Sequence, residues 1–199
     1  MTAEVRPPLK FAQPSPFALS GRVSLVGFMG AGKTTVGRAL AARLEWDFID
    51  LDEEIQVRAG RTIAQIFDER GEAAFRRLER QLLSEVLGSR RTGGWVLSVG
   101  GGAFVDAGIR ELLREHDVQT VFLDAPAEEL FRRCRQPGPP RPLLGDRARF
   151  DSLLDERRPA YLQAEFSVQT AGKEVASIVD EILAALLGRL EDKPIETGG

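Results

Sequence analysis

Arg22-Val23-Ser24-Leu25-Val26-Gly27-Phe28-Met29-Gly30-Ala31-Gly32-Lys33-Thr34-Thr35 is an apolar run, then a glycine-rich turn, then the first residues of a helical pattern. Gly27, Gly32, Lys33 and Thr34 fill the fixed positions of G-x-x-x-x-G-K-[ST], with a strand before and a helix after, the context that this pattern requires. Backbone N–H groups turned inward around a polyphosphate need main-chain angles and close approaches that a Cβ obstructs, which suits Gly27, Gly30 and Gly32. Gly30, Ala31, Gly32, Lys33, Thr34 and Thr35 are therefore the expected nucleotide contacts. Lys33 reaches the β- and γ-phosphates, the Thr34 hydroxyl is a Mg²⁺ ligand, and the helix beginning near Lys33 directs its positive dipole end at the anion.

Outward from this loop, strand and helix patterns alternate. Residues 23–27 read as the first strand and 34–44 as a helix, with Val36, Leu40 and Leu44 at helical spacing. Residues 47–52 read as a short strand ending in Asp50 and Asp52, at the edge where open α/β sheets place ligands. The stretch 52–87 is helical, divided by Gly60 and Gly71, with a capping-box signature at Thr62 and Gln65. Residues 95–99 form a buried strand that runs into Gly100-Gly101-Gly102, a costly run of glycine unless something approaches the main chain closely.

Helices are then predicted at 105–115, 126–135, 150–164 and 175–187, and strands at 119–123 and 166–169. Residues 136–142 hold four prolines and Arg141, the composition of a lid. The alternation implies βαβ units, a parallel sheet with helices on both faces, and a site at the strand C-termini. The division expected is a Pro-rich leader at 1–20, one α/β domain at 21–188 and a polar tail at 189–199.

The 199 residues, 43% hydrophobic and 29% charged, suit one globular domain. A net charge of −3 does not advertise nucleic-acid binding, and no apolar stretch has membrane-spanning length. Cys134 is the single cysteine and His116 the single histidine, so a disulfide framework, a Cys–His nucleophile pair and a zinc site are excluded. A cytoplasmic monomer with no nucleic-acid or membrane partner is the expectation.

Taken together, Gly27 to Gly37, Phe48-Ile49-Asp50-Leu51-Asp52, Gly71-Glu72-Ala73-Ala74-Phe75-Arg76-Arg77-Leu78-Glu79, Val99 to Ala103, Arg141-Pro142-Leu143-Leu144 and Arg157-Arg158-Pro159-Ala160-Tyr161 resemble the shikimate kinases over about 22–187. The resemblance implies a three-layer P-loop kinase fold with a five-stranded parallel sheet of order 2-3-1-4-5, a lid, and ATP with Mg²⁺ as phosphoryl donor to the 3-hydroxyl of shikimate. It further implies that Lys33 and Thr34 hold phosphates and Mg²⁺, that Asp50 supports the metal, and that Asp52 binds substrate hydroxyls and acts as base. Arg76 and Arg157 would grip the carboxylate, Gly101 and Gly102 would touch substrate through the backbone, and Arg141 would approach the transferring phosphate.

The residue types suit that work independently of the family: phosphoryl transfer needs cations around the phosphates and one oriented carboxylate, and a carboxylated polyol needs guanidinium forks and hydroxyl acceptors. Each also has a plainer reading. Asp50 and Asp52 could serve as helix-cap carboxylates, and Arg76 and Arg77 could lie on a solvated face with Glu72 and Glu79. Arg157 and Arg158 share that ambiguity, Arg133 and Arg135 both remain for adenine, and Asp124, which ends an apolar strand, is taken as structural. A kinase of the same fold for another acceptor such as gluconate, or a catalytically silent sensing module, are the competing functions.

Overall fold

The computed structural model describes residues 21–89, 93–136 and 146–192. The predicted leader, most of the Pro-rich lid with Arg141, and the end of the predicted tail lie outside the described residues. Five strands, β1 (Arg22–Val26), β2 (Asp47–Asp50), β3 (Trp95–Ser98), β4 (Gln119–Asp124) and β5 (Phe166–Gln169), form one sheet in the order β2-β3-β1-β4-β5. Every pairing is parallel, so each return to the sheet needs a crossover, and helices supply it. The fold is the three-layer P-loop architecture expected.

The helices are α1 (Lys33–Leu44), α2 (Leu51–Ala59), α3 (Ile63–Gly88), α4 (Ala107–Glu115), α5 (Ala127–Cys134), α6 (Arg147–Tyr161) and α7 (Val175–Asp192), with a 3₁₀ turn at Ala103–Val105. Central β1 is buried from Val23 to Val26, because its neighbours on both edges and the helices on both faces remove it from water. Gly60 ends α2 in the left-handed conformation, and Gly71 (φ 74°) breaks α3 internally, so the glycine punctuation read in 52–87 is present. The capping box at Thr62 and Gln65 is formed in both directions.

Several boundaries differ from the sequence expectations. β2 stops at Asp50, and Asp52 sits in the first turn of α2, because the Asp50 carboxylate accepts from the N–H groups of Asp52 and Glu53 and starts a helix there. The segment expected at 150–164 begins at Arg147, where Asp146 caps it through the Arg149 N–H. The last helix continues to Asp192, since Gly188 interrupts a run of good helix formers without stopping it. Residues 103–115 also split into a 3₁₀ turn and α4, divided by Asp106, which caps α4 through the Gly108 N–H.

Candidate active site

The phosphate loop closes the gap between β1 and α1. Gly27 (φ 142°) leaves 2.6 Å between an added Cβ and the Leu123 carbonyl of β4, and Gly30 (φ 81°) leaves 2.7 Å to the Leu130 carbonyl of α5. Both positions are closed to a side chain, so the loop is pressed against its neighbours and held in one shape. Gly32 is the N-cap of α1 and offers no side-chain cap, which leaves the first N–H groups of that helix available to an anion. Lys33 donates to the loop's own carbonyls, Gly27 O at 2.9 Å and Phe28 O at 3.2 Å, so its ammonium lies over the cradle.

Thr34 Oγ1 donates to Asp50 Oδ2 at 2.8 Å, which joins the first turn of α1 to the end of β2. A hydroxyl and a carboxylate held together at the mouth of a phosphate cradle are hard oxygen donors, and they fit Mg²⁺, which keeps most of its water and takes few protein ligands. The plain reading of Asp50 as a helix cap also holds: one oxygen caps α2 while the other faces Thr34.

Asp52 faces inward from α2. Burial, with the charge of Asp50 second, raises its carboxyl above the ordinary range, while Lys33 and Arg76 pull it back. Those four side chains therefore share one electrostatic neighbourhood. Gly100, just past β3, is the floor between two acids: a Cβ there would stand 2.7 Å from Asp52 Oδ1 and 3.2 Å from Glu79 Oε1.

Arg76 combines both readings offered for it. Its guanidinium donates to Glu79 at 2.7 Å and to Glu72 at 3.2 Å on its own helix, and it lies across Gly102, where a Cβ would meet Nη2 at 2.4 Å. Arg77 is exposed. Glu79 is almost wholly buried, and burial raises its carboxyl against the pull of Arg76. Sequence reading treated Glu79 as a surface partner, and only the proximity of the β3 glycine turn, a tertiary fact, reveals its burial.

The two arginines of α6 separate cleanly. Arg158 grips Asp124 at the end of β4, at 3.0 Å and 2.5 Å to its two oxygens, and Gln169 adds a third bond to that carboxylate at 2.9 Å. Arg157 instead lies 6.0 Å from the centroid of Phe28, within the phosphate loop. One turn on, Tyr161 is fully buried and donates its hydroxyl to the Gly101 carbonyl.

Gly101 in turn approaches the loop, 3.5 Å from Gly27 O and 3.6 Å from Met29 N measured from an added Cβ. Lys33, Asp52, Arg76, Gly101, Gly102 and Arg157 are thus gathered where β1 and β3 end. On the far side of the loop, Arg133 bonds Glu129, Thr170 and, at 3.4 Å, Gly30 O, whereas Arg135 is exposed beside Phe131. Cys134 is buried under Gly30, and His116 ends α4 with Nδ1 2.9 Å from Leu112 O.

A family model described as shikimate kinase matches residues 29–187. A shikimate kinase of Persephonella marina is 39% identical over 165 residues, which cover 82% of this chain and 98% of that protein. One of Nitrobacter winogradskyi is 41% identical over 198 residues, covering 96% of this chain and 90% of its own. Among solved structures, a shikimate kinase from Acinetobacter baumannii in complex with shikimate superposes with a TM-score of 0.78 at 36% identity, covering 84% of this chain and 93% of that one.

Proposed function

The chain belongs to the shikimate kinase family and transfers the γ-phosphoryl group of ATP to the 3-hydroxyl of shikimate, and we propose the following division of that work among its residues. The observation that carries it is the convergence of Asp52, Arg76 and Arg157 with the phosphate loop around the glycine turn 100–102.

The N–H groups of Gly30 to Thr35 cradle the ATP phosphates, and Lys33 leaves its loop carbonyls to neutralise the β- and γ-phosphate oxygens. Thr34 and Asp50 would hold Mg²⁺. When bound, the metal neutralises charge on the phosphates and orients them. Arg76 and Arg157 take the shikimate carboxylate, and the backbone of Gly101 and Gly102 fixes the ring, so that the 3-hydroxyl meets Asp52. Asp52 accepts the hydroxyl proton as the oxygen forms its bond to the γ-phosphorus and the bond to the ADP oxygen breaks. A carboxylate raised by burial is the stronger proton acceptor, and the charges of Lys33 and Arg76 pull against that rise. Arg141 contributes positive charge to the transferring group from the lid.

No helix among the described residues is long and apolar enough to cross a membrane. The test is ADP release from ATP and Mg²⁺ with and without shikimate, for the native chain and Arg157→Ala. Shikimate-dependent release that is largely lost in the variant supports the assignment. Release indifferent to shikimate refutes it.

A further inference from the structure

Tyr161 lies at the junction of three parts of the site without belonging to any of the roles assigned above. Its ring is fully buried and stacks on Phe122 of β4, centroids 5.4 Å apart and planes at 27°. Its hydroxyl donates to the carbonyl of Gly101. Arg157, one turn earlier on α6, and Arg76 of α3 both act on the same oxygen through their charge. One phenol oxygen therefore touches the glycine turn and answers to both arginines.

We propose that Tyr161 is a positioning residue for shikimate, its hydroxyl fixing the Gly101–Gly102 peptide in the arrangement that receives the substrate. The inference rests on the reading of Arg76, Arg157 and the glycine turn as the shikimate site. The peptide is planar, so a carbonyl tied to Tyr161 also sets the direction of the Gly102 N–H on its opposite side. A run of three glycines has no side chains to hold its peptide planes and loses the most entropy on ordering, so an external anchor has the greatest effect there. Tyr161 supplies that anchor from a helix end already locked by aromatic packing. Burial pushes its phenol up to about 12, against the opposing pull of Arg157 and Arg76, so it stays a hydrogen-bond donor across the working range and takes no part in proton transfer.

The decisive variant is Tyr161→Phe, which keeps the ring and its stacking and removes only the hydroxyl. KM for shikimate is expected to rise about three- to tenfold, the effect of one lost hydrogen bond, while KM for ATP and the thermal midpoint hold. Phe122→Leu is the complementary variant: it loosens the ring but leaves the hydroxyl, so the midpoint falls while KM for shikimate rises less than in Tyr161→Phe. An unchanged shikimate KM in Tyr161→Phe overturns the proposal. A parallel change in both KM values and the midpoint also overturns it, by reducing Tyr161 to packing. Failure of the underlying site reading looks different: Arg157→Ala would then bind shikimate as well as the native chain does, whatever Tyr161→Phe shows.

Discussion

Arg158 holds both carboxylate oxygens of Asp124, at 3.0 Å and 2.5 Å, while its neighbour Arg157 faces the phosphate loop. Adjacent residues on a helix point about 100° apart, so only one of the pair can serve each side. Arg158→Ala leaves a nearly buried Asp124 with Gln169 as its remaining side-chain partner among the described residues. Because the arginine itself is 39% exposed, the expected loss is about 1–2 kcal/mol in urea denaturation, with both KM values unchanged. Arg157→Ala should do the reverse, raising KM for shikimate roughly ten- to a hundredfold at constant stability. Interchanged phenotypes would reverse the assignment.

Gly102 has ordinary right-handed helical angles (φ −96°, ψ −18°), so alanine suits its backbone. The obstacle is Arg76, whose Nη2 would stand 2.4 Å from the new methyl. The guanidinium is the mobile end of a long side chain and gives way, so Gly102→Ala should fold normally with its carboxylate grip displaced. KM for shikimate is expected to rise about tenfold or more, with KM for ATP steady. A variant with native shikimate kinetics would show that Arg76 does not need its present position.

Asp50 serves two structures at once, capping α2 with one oxygen and accepting from Thr34 with the other. Asparagine caps as well as aspartate, so Asp50→Asn should keep native stability, whereas Asp50→Ala loses about 1 kcal/mol. Both variants remove the negative charge beside Thr34, the proposed Mg²⁺ ligand. Both should therefore need severalfold more Mg²⁺ for half-maximal rate. A native Mg²⁺ dependence in Asp50→Asn would confine this residue to its capping role.

How far these relationships could be read from the sequence depends on how local their causes are. The phosphate loop is a contiguous pattern, and its strand, turn and helix lie where the residues indicate. The sheet order followed from the resemblance rather than from periodicity, which carries no information about strand neighbours. Asp52 was misplaced at a strand end because its helix starts on the side chain of Asp50, two residues earlier, and boundary residues satisfy either pattern. Glu79 and Tyr161 were passed over for a different reason. The spacing of Glu72, Arg76 and Glu79 reads as a surface ion pair, and the partner of the Tyr161 hydroxyl is 60 residues away. In each case the decisive contact is the turn 100–102, which no helical period can report.

Asp52 sets activity against stability. Burial, aided by the charge of Asp50, raises its carboxyl above the ordinary 3.8. Between 3.8 and that raised value the folded chain binds more protons than the unfolded one, so stability falls as pH rises through this window and stays lower above it. Removing the ionisable group removes that loss. Asp52→Asn is isosteric, and its thermal midpoint at neutral pH should exceed that of the native chain, with the advantage shrinking as pH is lowered toward 3.8. The same variant lacks the proposed proton acceptor, so kcat should fall about 10²- to 10⁴-fold, and the acid limb of the pH–rate profile that this role requires should vanish. Calorimetry across pH together with steady-state rates checks both. A variant less stable than the native chain at neutral pH would mean that Lys33 and Arg76 more than offset the burial, and that Asp52 is retained for its ion pairs as well as its chemistry.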